Sequence, residues 1–446
     1  MRVPEQDRKR YQLPRFTIKT LLLSENASLQ SGGEAALAVH WFRELSRQGV
    51  SVWLLSHARS RRELYRLFPA DKDRLVFVED SWLQAGLWQL GRLLPQAVAL
   101  FTTGWCIRLL TQMRQRRVAQ QLVREHGINV VHLTMPVSPL EPTLIRQLGV
   151  PLVIGPLNGG MRYPPGFIRR ERLWARAFMK AGRALAVTAN VLLPGKSEAA
   201  YLLAANERTK RVLLGAFPEA AARIRCLPEN GVDTSVWRPV SNAAVVTSAP
   251  APVRLLFAGR LVDWKGGDLL LRAFAQAVQL SAVPLTLSIA GDGPMRRRWQ
   301  ALASRLGILG TRNAVPGKVF FRGWLQTEAC AEHMRQAEVF VLPSLLECGG
   351  AVVLEAMATG LPVIACDWGG PADYLDATCG VLLPVGSETE LINALTQAIV
   401  KLARDPDLRR AMGQAGNRKA HTQYNWAMKA QEMTNVYLQA IRARHG

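Results

Sequence analysis

A doubly wound α/β fold, built twice in one chain, is the class this sequence predicts. Three observations carry it: short, wholly apolar runs alternate with amphipathic stretches; the alternation restarts after a linker at 240–252; and glycines and charged residues gather directly behind the apolar runs. Parallel strands covered on both faces by helices read as near-continuous apolar runs, and strands that alternate with helical patterns indicate βαβ units. At 446 residues the chain exceeds one typical core, so two domains are expected.

Taken in order, IKTLLL (18–23) reads as a buried strand, followed by a glycine-bearing turn, the amphipathic helix of EAALAVHWFRELSRQG and a second strand, VSVWLL. INVVHL (128–133) and VPLVIG (150–155) read as further strands, with PLEPTLIRQLG between them expected to be helical. Past the linker, VRLLFAG, LTLSIAG, KVFFRG, AEVFVL, LPVIAC and GVLLPV continue the strand series, with helices at GGDLLLRAFAQAV and PMRRRWQALASRLG. No period of ~20–50 residues recurs, which excludes a solenoid. The expected organisation is an N-terminal domain over 1–239, the linker 240–252, a second domain over 253–420, and a C-terminal helix, 421–446, returning to the first domain. Ligands in such sheets sit beyond the C-terminal ends of the strands.

Composition is ordinary for a soluble globular protein, with 49% apolar and 20% charged residues. The six cysteines (Cys106, Cys226, Cys330, Cys348, Cys366, Cys379) are scattered without a C-x-x-C pair. That argues against a disulfide framework or a zinc site and fits a reducing cytoplasm. The first residues, MRVPEQDRKRYQLPRF, carry charge without an apolar core, so no secretory signal is expected. No stretch reaches the ~18 uncharged apolar residues of a membrane span; LLPQAVALFTTGWCI (93–107) comes nearest.

The chemistry lies at the strand ends. RLVDWKGG follows LLFAG and sets Arg260 and Lys265 before a glycine-opened helix. Cations behind a strand and beside a helix N-terminus suit phosphate oxygens; the alternative is that they dress a loop. AGDGP, with Gly291, turns tightly enough for a ligand to approach, as it would in an ordinary turn. ECGGAVVLEAMATG (347–360) places Glu347 in a loop, Gly349 and Gly350 at a helix N-terminus whose free N–H groups can receive oxygens, and Glu355 about one turn into an apolar helix. An acidic first turn that favours the helix dipole would explain Glu347 but not Glu355. Fixed carboxylates accept hydrogen bonds from sugar hydroxyls. Two carboxylates, a glycine pair and two upstream cations together describe a nucleotide-sugar pocket.

NGVD (230–233), AGRLVDWKG (258–266), AGDGP, VFFRGW, VLPS, the E-x7-E pair and GLPVIACDWGGP follow one another across 229–385. In that order and spacing they resemble the donor domain of retaining glycosyltransferases of family 4, which have the GT-B architecture of two doubly wound, Rossmann-like domains facing a central cleft. The resemblance implies that Arg260 and Lys265 hold the donor diphosphate, that Glu347 contacts the transferred sugar, and that these three carry catalysis. It implies that Glu355 holds the ribose hydroxyls, that Gly349, Gly350 and Ala351 make backbone contacts with sugar and phosphate, and that Gly291 and Gly323 belong to the donor site, the loop after VFFRG approaching the base. In the N-terminal half SGGE, with Gly32 and Gly33, fits the glycine loop that faces diphosphate and acceptor. Many family members place a cleft histidine where this sequence has VIGPLNGGMRYPPG, so Asn158 and neighbouring glycine amides are expected to line the cleft instead. His132, in an apolar strand, reads as a buried, satisfied residue rather than a catalytic base. No D-x-D pair is placed for a metal, so metal-independent transfer is expected, with no cofactor and a UDP- or GDP-linked sugar as substrate.

Net charge is +22, and it is uneven: residues 1–240 carry 35 Lys and Arg against 18 Asp and Glu. From Ser81 to Arg124 there are six arginines and three tryptophans (Trp82, Trp88, Trp105) and no acidic residue. Between Arg162 and Arg183 there are seven basic residues against Glu171 alone. Trp, Arg and Leu at helical spacing describe an interfacial helix on an anionic membrane; the alternative is a packed helix with solvated arginines. No nucleic-acid recognition motif accompanies the charge, and nucleic acid is not expected as a partner. The reading is therefore a cytoplasmic transferase, peripheral on the inner face of the cytoplasmic membrane, acting on a lipid-linked or growing polysaccharide acceptor. Two alternatives stand beside it: a soluble enzyme acting on a small sugar or sugar-phosphate, and a non-catalytic nucleotide-sugar or glycan binder.

Overall fold

The computed structural model describes residues 17–94, 98–99, 102–171, 182, 185–186, 188–239, 251–311 and 315–445. The opening MRVPEQDRKRYQLPRF, most of the linker and much of the second basic stretch lie outside them.

The N-terminal half is one parallel sheet. Its strands are β1 (Lys19–Leu23), β2 (Ser51–His57), β3 (Leu75–Val78), β4 (Val130–Leu133), β5 (Leu152–Leu157), β6 (Tyr201–Ala204) and β7 (Ile224–Cys226), in spatial order β3-β2-β1-β4-β5-β6-β7. Leu22 of β1 pairs in register with Leu54 on one side and His132 on the other. Helices α1 (Gly33–Arg47), α2 (Arg61–Leu67), α3 (Trp82–Gly91), α4 (Thr103–His126) and α5 (Glu207–Ala216) flank it. The strands are apolar on both faces because both faces are covered: β4 and β5 are buried at every residue.

The C-terminal half repeats the plan with β8 (Val253–Ala258), β9 (Leu285–Ala290), β10 (Lys318–Gly323), β11 (Val339–Leu342), β12 (Val363–Cys366) and β13 (Gly380–Leu383), ordered β10-β9-β8-β11-β12-β13 and again all parallel. Its helices are α6 (Gly267–Leu280), α7 (Arg296–Arg305), α8 (Thr327–Gln336), α9 (Ala351–Ala358), α10 (Gly370–Tyr374), α11 (Glu388–Arg404) and α12 (Pro406–Gln423). The last helix, α13 (Trp426–His445), packs against α1 of the other half, where Trp426 meets Trp41 edge-on at 5.2 Å.

A second crossing runs the other way. After β5 the chain leaves its own sheet, and Phe167 is buried in the hydrophobic core of the C-terminal half. Arg170 then pairs with Asp268 of α6 at 2.8 Å and Glu388 of α11 at 2.9 Å, and Trp368 Nε1 donates to the Arg162 carbonyl at 2.9 Å. This segment straps the N-terminal half to the C-terminal one.

Two expectations are corrected. PLEPTLIRQLG (139–149) is irregular rather than helical. Pro139 and Pro142 lack the N–H that a helix interior needs, and side chains from elsewhere satisfy the backbone instead. Gln112 Oε1 accepts from Leu144 N at 2.8 Å, Arg116 Nε donates to the Arg146 carbonyl at 2.9 Å, and the buried Lys196 ammonium donates to the carbonyls of Ser138 and Pro139. The single interfacial helix expected over 81–124 is likewise two helices, α3 and α4, joined by a buried Gln84–Thr111 hydrogen bond of 2.9 Å. Three of its arginines serve the domain: Arg108 pairs with Glu141 at 2.7 Å, Arg114 donates to the Glu79 carbonyl, and Arg116 braces the 146–147 turn. The exposed apolar face belongs to α3 and the turn after it, where Trp82 is 86% and Leu93 81% exposed and Arg92 stacks on Trp88 at 5.2 Å.

Candidate functional site

In the C-terminal sheet the chain winds outward from β8 to β10, then returns to the other side of β8 to form β11. The loops behind β8 and β11 therefore diverge and open a crevice at the point where the winding reverses. The first loop carries Arg260 and Lys265; the second carries Glu347, Gly349 and Gly350. Leu345 N donates to the Trp264 carbonyl at 2.8 Å and ties the loops together. Within the crevice Lys265 Nζ donates to Glu347 Oε2, and the two side chains are 14% and 13% exposed. A short Lys–Glu hydrogen bond of this kind in a poorly solvated place is a strong local contact. Arg260 is exposed on the same loop, and among the described residues no side-chain partner engages its guanidinium.

Gly350 caps α9 with φ 68°, a left-handed conformation that glycine adopts without strain. No side chain caps this helix; Val353 N donates to the Gly350 carbonyl at 2.9 Å, and the N–H groups at the very start of the helix, beginning at Ala351, are left to meet oxygens. Gly349 is required by proximity: a Cβ there would lie 2.9 Å from Glu229 Oε2 and collide with the Asn230 amide. Along the crevice the Gly291 N–H donates to the Gly323 carbonyl at 2.7 Å, joining the ends of β9 and β10. Behind Gly323 the Trp324 indole is 64% exposed. Glu355 sits on α9, where burial pushes its carboxyl up to about 7, and its charge is felt at Cys330 of α8. Its carboxyl has no hydrogen-bond or ion-pair partner among the described residues, so it is the acceptor the protein leaves unused.

The N-terminal half contributes Asn158, whose Nδ2 donates to Glu229 Oε2 at 2.6 Å. Burial, with the charges of Glu34 and Glu347, raises the Glu229 carboxyl to about 7 against the pull of Asn158 and Lys429. Arg208, at the start of α5, reaches Asn158 Oδ1 and the Cys348 carbonyl, each at 3.4 Å, and so bridges the halves. Gly32 and Gly33 lie exposed at the head of α1, and the neighbouring Glu34 is the group through which that loop is felt in the crevice. His132 is fully buried, with Nδ1 2.6 Å from the Tyr437 hydroxyl and Nε2 2.5 Å from the Gly155 carbonyl; burial lowers it to about 4. It has no access to the crevice.

The structure thus gathers Arg260, Lys265, Glu347, Gly349, Gly350 and Ala351 at one reversal point and brings Asn158 to it from the other half. Glu229 and Arg208 were missed. Glu229 stands directly before the NGVD motif, and that adjacency was the signal it carried; Arg208 carried none. Among the described residues no three His, Cys, Asp or Glu side chains converge as a metal site, and no helix is long and apolar enough to cross a membrane.

Residues 252–405 match the sequence model of a family described as Glycosyl transferases group 1. Alpha-maltose-1-phosphate synthase of Mycolicibacterium smegmatis is 33% identical over 225 residues, covering 47% of this chain and 55% of that protein. A D-inositol 3-phosphate glycosyltransferase of Streptomyces bingchenggensis is 30% identical, covering 51% and 50%. The chain spans about half the length of these two relatives. The GDP-mannose-dependent alpha-(1-6)-phosphatidylinositol monomannoside mannosyltransferase of Mycolicibacterium smegmatis is 29% identical over 71% of this chain and 78% of its own length. Among solved structures, sucrose-phosphate synthase of Thermosynechococcus elongatus superposes with a TM-score of 0.64 at 22% identity, covering 96% of this chain and all of that one. Anabaena Alr3699/HepE in complex with UDP superposes with a TM-score of 0.61 at 16% identity, covering 95% and 100%. The fold is GT-B: two Rossmann-like α/β halves facing a cleft.

Proposed function

We propose that the chain is a retaining glycosyltransferase that moves a sugar from a UDP- or GDP-linked donor to a lipid-linked or growing polysaccharide acceptor at the cytoplasmic face of a membrane. The observation that carries the reading is the crevice of the C-terminal half, with Arg260 unengaged, Lys265 paired to Glu347, and an uncapped helix beginning at the glycine pair. The family match over 252–405 lies on this half, and the names of relatives specify sugar transfer, one of them from GDP-mannose to a phosphatidylinositol mannoside. In this reading 253–420 is the donor unit and 1–239 the acceptor unit, with 421–446 returning to the latter.

Roles follow from chemistry. Arg260, Lys265 and the α9 N–H groups stabilise negative charge on the leaving diphosphate. Glu347, held by Lys265, accepts hydrogen bonds from the sugar's hydroxyls, and Glu355 from those of the ribose. Gly291, Gly323 and the exposed Trp324 border the base. Transfer breaks the bond between the anomeric carbon and the phosphate oxygen and makes one to the acceptor oxygen on the same face; the acceptor's proton passes to the departing phosphate. The cations do the work a metal would do, so transfer should proceed in EDTA.

The exposed Trp82, Trp88, Leu90 and Leu93 with Arg92 supply an apolar, cationic face suited to an anionic bilayer. The test is release of nucleoside diphosphate from a panel of UDP- and GDP-sugars, with and without anionic vesicles carrying polyprenyl-linked sugar. Vesicle-dependent transfer supports the reading. Transfer to soluble sugars alone replaces the acceptor class, and binding of nucleotide sugars without turnover leaves only a binding protein.

A further inference from the structure

Glu229 lies in the loop after β7, is 5% exposed, and belongs to the half opposite the donor crevice. One carboxyl oxygen accepts from Asn158 Nδ2 at 2.6 Å and faces Gly349 so closely that a Cβ on that glycine would lie 2.9 Å away. Arg208 completes the frame, touching the Asn158 amide oxygen and the Cys348 carbonyl and giving its Nε–H to the Gly159 carbonyl at 3.1 Å. The loop itself is pinned. Asn230 donates to the Tyr374 hydroxyl at 3.3 Å, Val232 N donates to the Tyr424 carbonyl at 2.8 Å, and the buried Lys429 ammonium donates to the Pro228 carbonyl. A buried, rigidly held carboxyl therefore stands against the Gly349 backbone, directly before the uncapped start of α9.

We propose that Glu229 is a positioning residue of the transfer site: as a neutral carboxyl held by Asn158 it braces the Cys348–Gly350 backbone for an anionic donor, and as a carboxylate it opposes that donor. The inference rests on the donor site proposed above. The charged and titratable groups facing Glu229 are Glu34 at the head of α1, Glu347 and Cys348 of the loop after β11, Lys429 of α13, Tyr374 of α10 and, through Asn158, Arg208 of α5. Two of these are carboxylates, and the cation among its direct neighbours, Lys429, is itself desolvated, with its pKa lowered to about 7. The balance already favours the protonated Glu229 carboxyl, near 7, and the charge of a bound diphosphate shifts it further the same way. Donor binding then takes up a proton, so affinity falls as pH rises above about 7. A brace that served only to hold the halves together would weaken binding equally at every pH.

The experiment is calorimetric titration of the full-length protein with UDP-glucose and GDP-mannose, whose phosphates do not titrate in this range, at pH 6 and pH 8.5. Glu229→Gln keeps the acceptor for Asn158 but cannot ionise. It should bind like the parent at pH 6 and more tightly than the parent at pH 8.5, by about tenfold for each unit by which the donor raises the carboxyl's pKa. Glu229→Ala should bind weakly at both. Parallel pH profiles for parent and Gln variant would overturn the proposal while leaving the donor site standing. A folded parent that binds neither sugar nucleotide at pH 6 overturns the donor site and this inference with it. Should the Gln variant not fold, titrating the parent at pH 7.5 in two buffers of different ionisation enthalpy reads proton uptake directly. Uptake of a fraction of a proton supports the proposal, and none overturns it.

Discussion

The two sheets reverse their winding in the same way, between β1 and β4 in one half and between β8 and β11 in the other, yet the two reversal points use their polar groups differently. Behind β1 several polar side chains bond within the protein itself. Ser28 Oγ donates to Glu63 Oε2 at 2.6 Å, Leu29 N to Glu63 Oε1 at 2.8 Å, Gln115 to the Ser24 carbonyl at 3.2 Å, and His132 on β4 is sealed between Tyr437 and Gly155. Behind β8 and β11, Arg260 and the desolvated Glu355 have no side-chain partner among the described residues, and no side chain caps α9. Polar groups left without a protein partner at the point where a doubly wound sheet reverses are available to a ligand. The comparison teaches where the proposed donor site departs from the scaffold it repeats: the same reversal carries unpartnered polar groups in one half and internally bonded ones in the other.

The largest effect that would break this contrast comes from Glu347→Gln. It removes the charged acceptor and leaves Lys265 unpaired; hydrogen bonds to charged groups contribute about 1.5–3 kcal/mol, so sugar transfer should fall by at least about tenfold with the fold intact by circular dichroism. Wild-type turnover in the folded variant would return the loop to the status of structure. Arg260→Ala comes next. Because the guanidinium has no partner among the described residues, melting temperature should hold while affinity for UDP or GDP drops about tenfold or more and affinity for the bare nucleoside changes little. Equal losses for nucleotide and nucleoside would show that this arginine does not serve the phosphates.

Glu355 sharpens the contrast through pH. Its carboxyl is raised to about 7 in the folded chain from the ordinary 4.5, so its contribution to stability is complete below about 4.5 and lost as pH rises through 7. Glu355→Gln should therefore raise the melting temperature at pH 8 by a few degrees and leave it unmoved at pH 4.5. The smallest effect on donor chemistry is expected from Trp82→Ser with Leu93→Ser: release of nucleoside diphosphate from the donor should stay within about twofold while flotation with anionic vesicles weakens. Unchanged flotation would assign the α3 face to something other than a bilayer.

The C-terminal half was legible because its signals are local. A strand, a loop with its cations or carboxylates, and a glycine-started helix occupy consecutive residues, so sequence order displays the chemistry directly. What was not legible depends on contacts distant in sequence. Asn158 and Glu229 are 71 residues apart, and Arg208 and Cys348 are 140 apart. The helical reading of 139–149 failed for a related reason: apolar spacing suggested a helix, but Gln112, Arg116 and Lys196 satisfy that backbone from other elements. The arginine-rich run over 81–124 suggested one continuous membrane face, whereas Arg108, Arg114 and Arg116 turn inward to carboxylates and carbonyls that periodicity does not reveal.

The central claim is that the crevice between the β8 and β11 loops is the donor site, and calorimetric titration of the parent and Arg260→Ala with UDP-glucose and GDP-mannose at pH 6 tests it most directly. The account predicts saturable, one-to-one binding of at least one of these to the parent, weakened about tenfold or more in the variant at unchanged melting temperature. A folded parent that binds neither, or a variant that binds as the parent does, would contradict it.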